Sequence, residues 1–258
     1  SRKADALRWA EEWLGSGWEA RPQARSPQRA APVAPPARPT PARDDLPELA
    51  QAYVDVLPDS PGAAYLDGRG IPAGMAAAYG VGFAQPSTYP RRADGKSDLY
   101  HPAGRVIFPQ MLPDGTITSL SGRAITDDGV KAMNLRGREN GAPTKSLFNA
   151  RALREGDGPL FVTEAPMDAL TLAAAGYPRV VALFGLDVPT WFWDELDAPA
   201  IVLALDNDER GHQAAAKIAE AALSRGLRVQ RIPVSEYGGH KDLNDAWRAG
   251  ALGGSGQG

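Results

Sequence analysis

In the second half of the chain, apolar residues gather in two unbroken runs, Leu160-Phe161-Val162-Thr163 and Ile201-Val202-Leu203-Ala204-Leu205. The first ends on Glu164 and the second on Asp206-Asn207-Asp208. Unbroken runs of this length mark strands covered on both faces, as in a parallel sheet. Between them the pattern predicts a helix from Pro166 to Ala175 with proline in its first turn, a short strand from Val180 to Leu183, and a Trp-rich segment from Pro189 to Leu196. After Asp208, apolar residues recur at helical spacing (Ala215, Ile218, Ala219, Ala222, Leu223) until Gly226, and a last strand is expected from Arg228 to Pro233. The order β-α-β-α-β-α-β predicts a doubly wound sheet with right-handed crossovers. Ligands of such sheets bind beyond the carboxyl ends of the strands, so Glu164, Asp206 and Asp208 are expected along one edge.

The first half is less regular. Leu7, Ala10, Trp13 and Leu14 give Asp5 to Leu14 one apolar helical face, and Arg21 to Pro47 is dominated by Pro, Ala and Arg, the composition of a flexible linker. Helical spacing resumes from Leu46 through Leu49, Tyr53, Val56 and Leu57, and a small-residue helix is expected from Ala73 to Tyr79. Arg105 to Gln110 and Ile117 to Ile125 read as strands joined at Pro113-Asp114-Gly115, a hairpin that carries Arg105 and Arg123. Lys131 to Asn149 is polar, basic and Gly-rich and reads as a long loop. The chain therefore divides into a short helix (1–20), a linker (21–45), a basic α+β subdomain (46–155), a sheet-and-helix domain (156–250) and a disordered tail (251–258).

Composition narrows the function. The 258 residues allow one domain of ordinary size or two small ones. Absence of Cys excludes disulfides and thiolate zinc sites within the chain. With no run of 18 apolar residues and no secretion signal, no membrane is expected and the cytoplasm is the expected compartment. The net charge of −3 hides a division, since residues 91–154 balance to +5 and residues 155–258 to −7. A basic block beside an acidic one suits a phosphate-tracking surface next to a cation-binding centre, although a mixed solvated surface gives the same balance.

Two carboxylates in an Asp-x-Asp turn can share one or two hard cations, and so sparse a set leaves room for water and phosphate, which suits Mg²⁺ and nucleotide chemistry. A calcium loop beginning at Asp206 fails on Arg210 at its fifth position and Lys217 at its twelfth. The same acids also have helix-start roles: Glu164, Asp168 and Asp-x-Asp suit a first turn, and Asp242 or Asn244 would cap a helix from Asp245 to Ala249. Acids converging on one edge repel each other unless a cation lies among them, which favours the metal reading. Gly141 to Ser146 departs from a phosphate loop at Thr144, before Lys145. His101, His212 and His240 show no ligand spacing and are expected at the surface.

Thr163-Glu164-Ala165-Pro166-Met167-Asp168-Ala169-Leu170, Leu205-Asp206-Asn207-Asp208-Glu209-Arg210-Gly211 and Lys241-Asp242 resemble the three motifs of the Toprim domain, shared by bacterial-type (DnaG) primases, topoisomerases and some nucleases. Upstream, Tyr65-Leu66, Arg69-Gly70-Ile71, Gly80-Val81-Gly82-Phe83-Ala84, Gly104-Arg105-Val106-Ile107-Phe108-Pro109, Ser121-Gly122-Arg123 and Lys131-Ala132-Met133-Asn134 are similar to the amino-terminal subdomain of the primase RNA-polymerase core. The first helix resembles the end of the zinc-binding module that precedes this core. The resemblance, from Leu46 to Gly250, implies an α/β fold: a Toprim-type parallel sheet flanked by helices, preceded by a smaller α+β subdomain. It implies a DNA primase that makes short RNA primers on single-stranded DNA from ribonucleoside triphosphates, in partnership with a replicative helicase. Glu164, Asp206 and Asp208 would be catalytic and, with Asp168 and Asp242, would hold Mg²⁺ or Mn²⁺. Arg105, Arg123, Lys131 and Asn134 would form a basic ridge for template or nucleotide phosphates, with Lys145 and Lys241 as further binding positions.

Two residues depart from the family pattern: Asn244 stands where a second acid is usual, and Asn149 stands near a usual basic position. Two other readings stay open, a Toprim-type metal-dependent nuclease and a non-catalytic DNA-binding module of a replication protein.

Overall fold

The computed structural model describes residues 41–91, 95–135 and 146–252. The expected helix Asp5 to Leu14, the linker as far as residue 40, Gly141 to Lys145 and the tail 253–258 lie outside the described residues. The chain forms two compact units. One is built from residues of Arg38–Ala152 with Val181–Phe184, the other from residues of Leu153–Val180 and Gly185–Gly258.

The first unit is an antiparallel sheet backed by helices. Strands β1 (Gly82–Ala84), β2 (Arg105–Met111), β3 (Ile117–Ala124) and β4 (Ala132–Asn134) are neighbours in chain order. Helix α1 (Leu46–Val56) buries Leu46, Ala50 and Tyr53, and Leu57 continues the same face. That face is displaced from the expected one, leaving Val56 37% exposed. It packs with Ala84, Leu99, Ile107, Leu120 and Leu135 as one core. Helices α2 (Pro61–Asp67) and α3 (Ala73–Ala78) follow, the first capped by the Ser60 side chain on the Gly62 N–H.

Two boundaries of this unit also differ from expectation. The polar stretch from Lys131 is not wholly a loop. Its start forms β4, because Lys131 and Leu135 supply the partners that the Ala124 N–H and the Leu120 carbonyl need. So short a strand tolerates the sheet edge because Ala132 and Asn134 stay exposed to water. Packing also begins ahead of Leu46: Ala42 is buried and its N–H donates to the Thr118 carbonyl at 2.7 Å.

The second sheet has the order β6 (Val180–Ala182), β5 (Leu160–Thr163), β7 (Ala200–Ala204), β8 (Arg228–Arg231), with β5–β7 and β7–β8 parallel. Helix α4 (Pro166–Ala174) leads from β5 to β6, the one-turn helix α5 (Phe192–Glu195) precedes β7, α6 (Glu209–Leu223) leads to β8, and α7 (Leu243–Arg248) comes last. The chain leaves β5 toward one edge of the sheet and β7 toward the other, so these two neighbours form a topological switch point. Helix α6 buries Gly211, Ala214, Ala215, Ile218 and Ala222, while Leu223, expected on that face, is 63% exposed. Helix α7 starts two residues earlier than expected, which places Asn244 inside it. No helix of the described residues is long and apolar enough to cross a membrane.

Candidate active site

Strand register decides where the acids fall. Thr163 lies opposite Ala204, so Glu164 follows the end of β5 while Asp206 stands two residues past β7, both at the switch point. Asp208 is the N-cap of α6 and its Oδ1 accepts the Gly211 N–H at 2.9 Å. A Cβ on Gly211 would stand 2.1 Å from the Asp206 carbonyl oxygen, so glycine is what lets the helix begin this close to the strand. Buried Tyr237 donates its hydroxyl to the Leu205 carbonyl at 2.6 Å and holds the end of β7.

Asn207, between the two aspartates, fastens the turn to the segment before α7. Its N–H donates to the Lys241 carbonyl at 2.6 Å and its Nδ2 to the His240 carbonyl at 3.3 Å. Its Oδ1 accepts from His212 Nε2 at 3.1 Å, which requires a proton on that nitrogen. From this anchored backbone the Lys241 ammonium reaches Asp206 Oδ2 at 3.3 Å and Asp208 Oδ2 at 3.1 Å. Ligand spacing does not single out Asn207 and His212; the signal for them is an amide between two carboxylates with a histidine four residues beyond the second.

The charges act on one another. Burial pushes the Glu164 carboxyl above its ordinary range, and the negative charges of Asp206 and Asp208 add to this, opposed by Lys241 and Arg210. Asp206 is raised chiefly by burial, with Lys241 opposing and the charge of Asp242 adding. The Gly211 N–H, followed by Lys241, holds Asp208 below the usual carboxylate range. Lys241 is in turn raised by Asp208 and Asp206.

The remaining two acids have structural partners. Asp168 is buried on α4 and its Oδ1 accepts the Asn244 N–H at 3.1 Å. Asn244 Nδ2 donates to Thr171 Oγ1 at 2.9 Å, so Asn244 ties α7 to α4 from a buried position. Asp242 is the N-cap of α7, accepting the Asp245 N–H at 2.8 Å.

Among the described residues, no three or more His, Cys, Asp or Glu side chains close into a ready-made metal cage. The donor set still fits a hard divalent ion. Two carboxylate oxygens turn toward one cation, the Lys241 ammonium, which stands in for such an ion, and Glu164 adds a third carboxylate within electrostatic reach. Mg²⁺ commonly takes one or two carboxylates and completes its shell with water and phosphate.

The expected basic ridge fares differently. Arg105 pairs with Ala124 and Arg123 with Val106, so the two arginines point to opposite faces of the first sheet. Arg105 is 1% exposed and its guanidinium donates to the carbonyls of Leu99, Gly122, Val130 and Lys131 at 2.9–3.2 Å. It is thus a structural residue that gathers β2, β3 and the approach to β4, not an exposed phosphate guide. Arg123 is half-buried and its Nε donates to the Tyr65 hydroxyl at 2.7 Å. Lys131 is 67% exposed and pairs with Asp127 at 3.7 Å. Asn134 is exposed and accepts from Gln110 Nε2 at 3.1 Å. Lys145 lies outside the described residues. His101, expected at the surface, is buried: Nδ1 accepts the Ala103 N–H, so Nε2 donates to the Asp128 carbonyl at 2.7 Å. Asn149 adopts φ +54°, a left-handed conformation that Asn tolerates better than a long basic residue.

Residues 161–247 match a family model described as Toprim-like. A DNA primase of Neisseria meningitidis is 31% identical over 198 residues, covering 67% of this chain and 34% of that protein. The chain belongs to the DnaG-type primase family. A primase domain from Pseudomonas aeruginosa is 25% identical with a TM-score of 0.58, covering 79% of this chain and 74% of that one. A DnaG primase catalytic domain bound to single-stranded DNA has a TM-score of 0.58 at 21% identity, over 79% of this chain and 75% of that one, and shows the shared fold. The chain spans about a third of the length of the Neisseria primase.

Proposed function

We propose that this chain is the catalytic core of a DNA primase, joining ribonucleoside triphosphates into short RNA primers on a single-stranded DNA template. The observation that carries this reading is the convergence of Asp206 and Asp208 on one cation at the switch point, with Glu164 beside them, in a chain of the primase family. Phosphoryl transfer of this kind asks the protein mainly to position charges. Asp206 and Asp208 would hold Mg²⁺ or Mn²⁺, which supplies positive charge for the triphosphate and for the attacking primer oxygen. Glu164, with its raised proton affinity, serves as a further ligand or takes the proton of the attacking hydroxyl. Asp168 and Asp242 support these acids from the α4–α7 side. Arg123, Lys131 and Asn134 offer the polar surface for template phosphates, with Arg105 as its internal brace. A replicative helicase as partner and a cytoplasmic location belong to the same reading.

The test is incorporation of labelled ribonucleotides on single-stranded templates with Mg²⁺ or Mn²⁺, comparing wild type with Asp206→Ala and Glu164→Gln. Loss of about a hundredfold or more in each variant is expected. Full activity in either removes that residue from the mechanism. Shortened template without incorporation would instead identify a nuclease, and salt-sensitive DNA binding with neither reaction a non-catalytic module.

A further inference from the structure

A lysine ammonium between two carboxylates relieves a repulsion that a divalent ion would otherwise have to relieve. We propose that Lys241 is the built-in counter-ion of the acidic site, holding Asp206 and Asp208 ready and leaving when a divalent ion enters. This inference rests on the metal-dependent reading above and adds what sets the affinity of that site for its ion.

Lys241 Nζ lies 3.3 Å from Asp206 Oδ2 and 3.1 Å from Asp208 Oδ2, the two oxygens a shared ion would use. A Mg²⁺–oxygen bond is about 2.1 Å, so an ion bound to both oxygens would lie within a few ångströms of the ammonium, and the two positive charges exclude each other. The exchange requires no unfolding. The lysine side chain is 63% exposed on a flexible four-carbon stem, whereas its backbone is fixed by the Asn207 N–H. The head can therefore swing out while the root stays in place. Once displaced, the ammonium remains at the mouth of the site, where an incoming phosphate presents negative charge. Lys241 is in this sense a positioning residue that sets the ion threshold.

The experiment uses the 258-residue chain without nucleotide, titrated with Mn²⁺ by electron paramagnetic resonance, and compares wild type, Lys241→Met, Lys241→Arg and Asp206→Asn. Lys241→Met should bind Mn²⁺ on the order of tenfold more tightly, the gain expected when two partly exposed ion pairs no longer compete. Lys241→Arg, which keeps the charge, should stay near wild type. Without divalent ion Lys241→Met should melt below wild type, and at saturating Mg²⁺ the two should converge. A lysine with a merely structural role would lower melting equally at every metal concentration. That result, or unchanged or weaker Mn²⁺ binding in Lys241→Met, overturns the proposal. The Asp206→Asn arm separates the two layers. If it binds Mn²⁺ as wild type does, the metal site at Asp206 fails and the counter-ion with it. If it loses Mn²⁺ while Lys241→Met gains nothing, the counter-ion role alone is lost.

Discussion

At Gly211 one methyl group decides whether α6 can begin where it does. The 2.1 Å approach to the Asp206 carbonyl is to backbone, which cannot swing aside, so Gly211→Ala should cost about 1–3 kcal/mol and distort the Asp206–Asp208 turn. A lowered urea midpoint together with weakened Mn²⁺ binding would show both effects. Glu164 gives a pH dependence. Its carboxyl is raised by burial first and by its acidic neighbours second, so the folded state holds the proton more tightly than the unfolded one. Metal-free wild type should therefore lose stability from this group as pH rises above the ordinary Glu value of 4.5. Glu164→Gln should be the more stable protein at neutral pH, with the difference vanishing in acid. Thermal melts across pH check this, and a variant no more stable at pH 7 would refute it.

Between elements, the decisive ties are buried polar ones. Arg105 joins β2 to β3 and to the approach to β4 through four carbonyls, and a Cβ on Gly122 would stand 2.7 Å from its Cδ, so the strand beneath is kept bare for it. Arg105→Met should cost several kcal/mol, on the order of 4, by leaving carbonyls without donors. Its salt slope for DNA binding, measured while folded, should stay unchanged, whereas Lys131→Ala should lower that slope by about one. Asn244 is the matching tie between α7 and α4. Asn244→Asp, which restores the family's usual acid, would bury a carboxylate next to Asp168 and lose the donor to Thr171. We expect about 2–4 kcal/mol of destabilisation by urea denaturation, with no gain in metal affinity.

The succession of strands β5, β6 and β7 along the chain and the positions of Glu164, Asp206 and Asp208 are legible because a strand buried on both faces must be apolar throughout, which makes the carboxylate that follows it conspicuous. Charge alone does not tell which face of a strand Arg105 occupies; the register with Ala124 does. His101 and β4 escape the pattern for different reasons: the His101 ring is held by the Asp128 carbonyl, distant in the chain, whereas β4 is a three-residue Ala-Met-Asn edge strand too short to show an apolar alternation. The Asn207 fastening was beyond reach because its partners, Lys241 and His240, meet it only after β8 has been laid down.

Over the whole molecule, opposite charge balances fall on successive stretches, +5 over residues 91–154 and −7 over residues 155–258. A single pI would conceal this. Association with nucleic acid should therefore depend steeply on salt although the chain is acidic overall, a fluorescence-anisotropy measurement with labelled single-stranded DNA. The order β6-β5-β7-β8 has a further consequence, for time rather than space. Strands β5 and β7 lie side by side, yet the chain between them must first travel out through β6 and return, and Lys241 follows later still. Pairings so distant along the polypeptide close late. On a growing or refolding chain, helices should appear by circular dichroism before any Mn²⁺ is captured, so that an unfinished molecule would hold no ion at Asp206 and Asp208.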